Sequence, residues 1–127
     1  MRTTDLPRMG SDMKITERNS QDVIVLELEG RMTIDDGAEL LRDKVGSALF
    51  RGHSKVVLNL ARVPHIDSGA LGAIVGCYVS AQRAKGAVKL SGLSGRVVEL
   101  LTIMKLHEVF DCFATEKEAV DSFMVAV

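Results

Sequence analysis

A hydroxyl next to a carboxylate, at the start of a predicted helix, is the part of this chain with the clearest chemical potential. Asp67 and Ser68 follow an apolar run at positions 55–60 and precede apolar residues spaced as one face of a helix. A short acidic side chain just before a helix caps free backbone N–H groups, and a helix N-terminus tolerates negative charge. The pair therefore predicts a functional turn.

Hydrolytic chemistry is disfavoured for this turn. A nucleophilic Ser68 would need a histidine base, but His65 is only three residues away and no Gly-x-Ser-x-Gly elbow is present. Asp35 and Asp36 are adjacent, so on a helix their side chains would point apart, and their charge suits a helix N-terminus instead. We expect no catalytic residue and no enzyme activity.

Metal, nucleotide and nucleic-acid binding are not indicated. The three histidines lack metal-ligand spacing, and no glycine-rich stretch matches a phosphate-binding loop. Cys77 and Cys112 form no C-x-x-C pair, and both are expected to be reduced thiols in buried elements. A net charge of −1 and the absence of Trp leave little for nucleic-acid binding. No cofactor or metal is expected.

The composition is that of one globular domain. The 127 residues are 46% hydrophobic and 26% charged, which is enough for a single core. No segment has the pattern of a signal peptide or a bilayer span, so we expect a cytoplasmic protein without membrane insertion. Residues 1–12 mix polar types without a period and are expected to be a flexible extension, with the domain at 13–127.

Three strands should lie before the turn. The segments 14–17 and 23–29 indicate a hairpin around the polar turn 18–22. The run 55–60 is apolar at successive positions, which is typical of a strand buried on both faces. We expect that strand to be central in the sheet.

One helix is predicted between the hairpin and the central strand. Asp36 and Glu39 resemble a capping box, and Gly52 is a suitable C-terminal stop. The expected buried face consists of Ala38, Leu41, Val45, Ala48 and Leu49.

The helix after the turn carries two stripes. Its expected buried face consists of Leu71, Ile74, Val75, Tyr78 and Val79. Small residues recur at every fourth position, namely Ser68, Gly72, Gly76, Ser80 and Ala84. Each interior glycine costs a helix about 1 kcal/mol relative to alanine, so this stripe needs a reason. Close packing inside the domain is favoured over a flat surface for another protein's backbone.

Four further elements are predicted towards the C-terminus. A strand at 87–90 precedes a helix that Ser94 caps, and an edge strand at 109–113 follows. A capping box of Thr115 and Glu118 opens a final helix. The residues expected to face inward on these two helices are Val97, Leu100, Leu101 and Met104, then Val120, Phe123 and Met124.

The order of these elements predicts an α/β fold. Strands that alternate with helices imply a mixed, mostly parallel sheet, here with an N-terminal antiparallel hairpin. If successive strands are neighbours and each crossover is right-handed, the helices lie mainly on one face. The turn would then lie at the carboxyl end of a strand, where α/β sheets usually place function.

With this order of elements, the turn resembles that of a known family. The strand Val-Val-Leu-Asn-Leu at 56–60, followed by Ile-Asp-Ser-Gly-Ala-Leu-Gly at 66–72, resembles the STAS domain of bacterial anti-sigma factor antagonists. The similarity covers about residues 13–124, nearly the whole chain. It implies a single STAS-like domain that acts by binding.

The resemblance also implies partners. Unmodified members of the family bind an anti-sigma factor, often a serine kinase, and so release a sigma factor. The kinase phosphorylates a serine or threonine in the turn, and a phosphatase resets the complex. An anti-sigma factor of the serine kinase type is therefore the expected partner, with a phosphatase as a further candidate. The chain itself is expected to be a monomer or a weak homodimer.

One departure from the family pattern concerns this switch. The usual Asp-Ser-(Ser or Thr)-Gly-Leu-Gly carries its acceptor at the third position, where this chain has Gly69, and Ala70 replaces the following glycine. Ser68 is left as the candidate phosphoacceptor. Its alternative role, as a first-turn residue bonded to backbone, stays open.

The expected partner surface combines the turn with the loop before the first helix. Its residues are Thr33, Asp35, Asp36, Asp67, Ser68, Gly69, Ala70, Leu71 and Gly72. Two functions stay open for such a surface. One is an anti-sigma factor antagonist, and the other is a non-phosphorylated STAS subunit of a larger assembly, such as an ABC-type lipid transport complex.

Overall fold

Five strands form one sheet, in the order β1-β2-β3-β4-β5, in the computed structural model, which describes residues 13–124. The strands are β1 (Lys14–Ser20), β2 (Val23–Glu29), β3 (Lys55–Arg62), β4 (Ala87–Ser91) and β5 (Cys112–Phe113). The β1–β2 pair is antiparallel, and all other neighbours are parallel. The predicted α/β class and the central position of β3 are confirmed. The extension predicted at 1–12 lies outside the described residues.

Four helices in the described part of the chain cover the two faces of this sheet. They are α1 (Ala38–Phe50), α2 (Ser68–Arg83), α3 (Gly95–Ile103) and α4 (Glu116–Ser122). The first three helices share the larger core with β2, β3 and β4, whereas α4 packs on a smaller core of its own. The prediction of helices mainly on one face is confirmed. The exception is α4, whose Ala119 and Val120 pack against the other face of the sheet, on valines of β2 and β3.

The alternation of side chains in β3 explains the two cores. Successive residues of a strand point to opposite faces. Val56 and Leu58 therefore lie in the larger core, while Val57 lies against α4, and all three are 0% exposed. Burial on both faces is confirmed, and the strand continues past the predicted end to Arg62.

The first strand is longer than predicted. β1 continues to Ser20, so the residues 18–20 that the sequence placed in a turn belong to the strand. The hairpin turn is Gln21 and Asp22 alone, with positive φ angles of 53° and 70°, as a two-residue hairpin with a type I′ turn requires. Most of β1 is exposed, so the apolar alternation that marks a strand is weak there.

The first helix begins without the predicted capping box. Its N-cap is Gly37, with φ 97° and no side-chain cap, so the prediction of Asp36 with Glu39 is wrong. The N–H groups of Thr33 and Asp36 donate to each other's carbonyl oxygens at 2.9 and 3.1 Å, and this tight turn takes Asp36 away from the cap position. The predicted face is confirmed, with Leu49 partly buried. Gly52, with φ 94°, follows the helix end as predicted.

The buried face of α2 differs from the predicted one. Its buried residues are Ala70, Leu71, Ala73, Ile74, Cys77 and Ala81. Val75 and Tyr78 are only partly buried, and Val79 is 39% exposed. The prediction counted large apolar residues, whereas much of the actual contact face is alanine, which permits close packing.

Two helix starts near the C-terminus are confirmed. Ser94 Oγ accepts a hydrogen bond from Val97 N–H at 3.3 Å. Thr115 and Glu118 form the predicted capping box, in which each side chain accepts the other residue's backbone N–H. These signals are reliable because each bond joins residues only three positions apart.

Several details near the C-terminus are wrong. The strand predicted at 109–113 shrinks to β5, because Phe110 turns into the core and meets Tyr78 edge-on, with ring centroids 5.2 Å apart. Met104 and Met124 were predicted to face inward but are 42% and 40% exposed. Short apolar segments at the ends of helices leave the inward face poorly defined.

The two cysteines differ in environment. Both are free thiols, but only Cys77 is buried, so the prediction of burial is wrong for Cys112. Desolvation raises the pKa of Cys77 to about 11, which keeps this thiol protonated and unreactive at neutral pH.

Candidate functional site

Asp67 holds the start of α2. It is the N-cap residue, and its Oδ1 accepts a hydrogen bond from Ala70 N–H at 2.7 Å. Its Oδ2 accepts a second bond from Ile34 N–H, at 3.3 Å, across to the loop that precedes α1. One carboxylate thus caps the helix and binds a loop 33 positions away in the sequence.

Backbone bonds join the same two segments. Met32 N–H donates to His65 O at 3.0 Å, and Asp67 N–H donates to Met32 O at 3.1 Å. Both segments lie at the carboxyl ends of neighbouring parallel strands, β2 and β3. The sequence predicted that the loop and the turn contribute to one surface, and the fold brings them together. We call residues 33–36 and 67–72 the loop–turn site.

The predicted residues of the loop–turn site differ in accessibility. Asp35, Ser68 and Gly72 are exposed, whereas Thr33, Asp36, Asp67 and Gly69 are partly buried. Ala70 and Leu71 are 0% and 1% exposed and face the core, so their side chains are not available to a partner. Ser68 is the first residue of α2, and it is exposed to solvent.

Sequence reasoning missed Ile34, which lies over Gly69. The Ile34 side chain is apolar yet 57% exposed. A Cβ added at Gly69 would lie only 2.7 Å from Ile34 Cβ, so the loop covers this position closely. The available signal was a single apolar residue in an otherwise polar and acidic loop.

The small-residue stripe of α2 does not pack inside the domain. All five of its residues, Ser68, Gly72, Gly76, Ser80 and Ala84, are exposed. A Cβ added at Gly72 or Gly76 would meet nothing within 4 Å. The interpretation as internal close packing is therefore wrong, because the buried alanines occupy a different face of the helix. A shallow cavity of about 180 Å³ lies beside the stripe, next to Gly46 and Arg42 of α1.

The catalytic alternatives receive no support from the geometry. His65 lines a cavity of about 320 Å³ together with Ile66, Arg96 and Glu99, on the α3 side of the turn. Among residues 13–124, no hydrogen bond joins the side chains of His65 and Ser68, and no group of three His, Cys, Asp or Glu side chains could hold a metal ion.

A polar cluster of Arg18, Asn59 and Glu116 lies on the face of the sheet that α4 covers. Glu116, in the first turn of α4, accepts two hydrogen bonds from Arg18, at 2.7 and 2.9 Å, and one from Asn59 at 2.9 Å. The Arg18 hydrogen bond lowers the pKa of Glu116, and the same bond raises the pKa of Arg18. This cluster fastens β1, β3 and α4 together. No local pattern could reveal it, because Arg18 and Glu116 are 98 positions apart.

Comparison with known proteins gives one family and several relatives. The family model described as the STAS domain matches residues 14–119. The chain is 25% identical over 109 residues to the anti-sigma-B factor antagonist of Bacillus subtilis (strain 168), a match that covers 86% of this chain and 98% of that protein.

Solved structures give the same likeness. The Thermotoga maritima protein TM1081, provisionally named an anti-sigma factor antagonist, is 26% identical with a TM-score of 0.81, over 87% of this chain and 95% of that one. The anti-sigma factor antagonist SpoIIAA in its unphosphorylated form has a TM-score of 0.68 over 91% of this chain and 100% of its own. At 22% identity, the likeness to SpoIIAA is one of fold. SpoIIAA has also been solved in a phosphorylated form, with the same identity and TM-score.

The described helices contain no candidate membrane span. Within residues 13–124, none is both long enough and apolar enough to cross a bilayer.

Proposed function

This chain belongs to the STAS domain family, and from that premise we propose that it is an anti-sigma factor antagonist that acts by binding. Its partner is an anti-sigma factor, whose capture releases a sigma factor for transcription. The names of its relatives in Bacillus subtilis and Thermotoga support this proposal, since the matches extend over most of both chains. The observation that carries it is the exposed, pre-organised loop–turn site.

Pre-organisation favours binding because little conformational freedom remains to be lost. The Asp67 carboxylate and the backbone bonds of Met32 already fix the loop relative to the turn. Ser68 and Gly72 are accessible on the first turns of α2. A partner can therefore dock on the carboxyl end of the sheet without remodelling it.

The exposed glycines of α2 extend this surface. Gly72 and Gly76 each destabilise the helix by about 1 kcal/mol relative to alanine, and nothing within the described chain packs on them. A flat stripe of glycines and other small residues allows the backbone of another protein to approach closely. The docking surface thus comprises the loop–turn site and the adjoining part of this stripe.

The finer proposal is an anti-sigma factor of the serine kinase type, with Ser68 as the phosphoacceptor. A phosphate on Ser68 would add about −1.5 to −2 charges at neutral pH, next to the Asp67 carboxylate. A partner surface fitted to an uncharged serine would then lose both shape and charge complementarity. A phosphatase that removes this phosphate would restore binding.

The binding surface is tested with a bulky substitution on the stripe. We expect Gly72→Arg to abolish capture of the anti-sigma factor while its thermal unfolding stays cooperative, because position 72 is open and the arginine protrudes into the interface. The matched control is Ala84→Arg, at the exposed far end of the same stripe. Mass spectrometry of the proteins captured by the wild-type chain identifies the partner. Recovery of transporter subunits in place of an anti-sigma factor would contradict the proposal.

The switch is tested separately. The wild-type chain and Ser68→Ala are incubated with the purified partner kinase and ATP, followed by phosphosite mapping. We expect phosphate on Ser68 of the wild-type chain, none on the variant, and dissociation of the wild-type complex. Wild-type chain without phosphate would mean that this protein binds its partner without a covalent switch.

A further inference from the structure

Position 69 is a glycine for a reason that lies in the loop above it. Gly69 is helical and does not have a positive φ, so its backbone conformation does not require glycine. An added Cβ would lie 2.7 Å from Ile34 Cβ and 2.9 Å from Ile34 Cδ1. Carbon atoms in favourable contact are about 3.5–4.0 Å apart. A side chain at position 69 and Ile34 therefore cannot both occupy these positions.

Ile34 has no easy way to move aside. The closest atom is its Cβ, which rotation about χ1 does not displace. Its backbone N–H is bonded to Asp67 Oδ2 at 3.3 Å. The loop on either side is held by the bonds of Met32 and by the tight turn between Thr33 and Asp36.

The fit between Ile34 and Gly69 leaves the apolar side chain at the surface. Ile34 is 57% exposed, although the contact with α2 is close enough to exclude a methyl group. An exposed apolar side chain held by hydrogen bonds and close packing loses little entropy on binding, which is the property of a binding anchor.

We propose that the absence of a side chain at Gly69 leaves the space on α2 that Ile34 occupies, and we call this space the seat of Ile34. We further propose that Ile34 is the apolar anchor by which the loop–turn site recognises its partner. The recognition role rests on the proposed function, whereas the seat does not. The anchor fits an apolar pocket on the anti-sigma factor, and a side chain at position 69 lifts Ile34 out of register with that pocket.

The seat is tested by a series of glycine-to-alanine substitutions in one helix. Gly72→Ala and Gly76→Ala meet open space, so both should raise the melting temperature through the better helix propensity of alanine. Gly69→Ala should lower it, and this loss should be smaller when it is measured in an Ile34→Gly background, which lacks the Cβ that blocks the methyl group. A Gly69→Ala variant that melts as high as Gly72→Ala in the presence of Ile34 would overturn the seat.

The anchor is tested by titration of the purified anti-sigma factor that the wild-type chain captures. We expect Ile34→Ala to weaken binding about tenfold or more, as the truncation of a central contact does. Phe50→Ala is the control, since Phe50 is 93% exposed at the far end of α1 and should leave the Kd unchanged.

The outcomes of the titration are distinct. Equal affinities of the wild-type chain and Ile34→Ala would overturn the anchor while the proposed function stands. A wild-type chain that binds no anti-sigma factor would overturn the proposed function and the anchor together. The melting series needs no partner, so it decides on the seat in either case.

Discussion

Two acidic side chains at helix N-termini, Asp67 and Glu116, differ in the groups to which they are hydrogen-bonded. Asp67 caps α2 and binds the backbone of a loop, and the adjacent Ser68 stays open to solvent. Glu116 lies in the first turn of α4, where its carboxylate is taken up by Arg18 and Asn59. Both positions suit a negative charge because of the free N–H groups of a helix start.

The difference lies in what each carboxylate holds. Asp67 joins two loops at the end of the sheet, so it shapes an exposed surface. Glu116 joins side chains of two strands to a helix that covers the sheet, so it fastens a layer of the fold. An acid at a helix start therefore indicates a local cap, but only its long-range partner decides between a binding role and a structural one.

The largest effect is expected for Asp67→Ala. The substitution removes the cap of α2 and the bond to Ile34 N–H, and should lower the free energy of unfolding by about 2 kcal/mol, at the upper end for a lost N-cap. Binding of the anti-sigma factor should be lost as well, because the loop is released from the turn. Urea unfolding and titration of the partner measure the two effects.

The control for this prediction is Asp67→Asn. An asparagine side chain still caps the helix through its single oxygen, but its NH2 group cannot accept the bond from Ile34 N–H. The contribution of the cap to stability should therefore remain while the bond to the loop is lost. If Asp67→Ala unfolds like the wild-type chain, the carboxylate does not hold the loop–turn site together.

A smaller effect, without loss of binding, is expected for Glu116→Gln. Loss of the ion pair should lower the free energy of unfolding by about 1 kcal/mol, since Arg18 is 44% exposed and solvent screens the pair. The Kd for the partner should not change, because α4 covers the opposite face of the sheet. A weakened Kd would show that the two regions are coupled.

The same residue predicts a dependence on pH. The Arg18 hydrogen bond lowers the folded-state pKa of Glu116 from its usual 4.5. Its contribution is therefore complete above pH 4.5 and is lost as the pH falls through the lowered folded-state pKa. The stability difference between the wild-type chain and Glu116→Gln should be constant near neutral pH and should shrink in acid. A difference that grows in acid would contradict this assignment.

The smallest effect is expected for Lys117→Ala. Lys117 and Asp121 form an i,i+4 pair on the outside of α4, with side chains 84% and 44% exposed. Such pairs contribute little, so neither unfolding nor binding should change measurably. This variant is the baseline for Glu116→Gln, its neighbour on the same helix. If Lys117→Ala lowered the free energy of unfolding as much as Glu116→Gln, any change of charge on α4 would destabilise the protein.

The sequence by itself determined the features that depend on near neighbours. The N-cap at Asp67 and the capping box of Thr115 with Glu118 are bonds between a side chain and backbone three residues on. The apolar run of β3 predicts two-sided burial because alternate side chains of a strand point to opposite faces. The order of elements then sets the class of fold, and with it the edge of the sheet at which the turn lies.

Only the tertiary structure decided which distant segments these local features contact. The cap predicted at Asp36 is displaced because its loop folds against the turn of α2, and Ile34 covers Gly69 for the same reason. The small-residue stripe became a surface because alanines on another face of α2 make the contact with the core. The contact between Ile34 and Gly69 joins distant segments through their shapes, which local periodicity and helix or strand propensity do not encode. The residues that make up the proposed binding surface therefore depended on the fold as a whole.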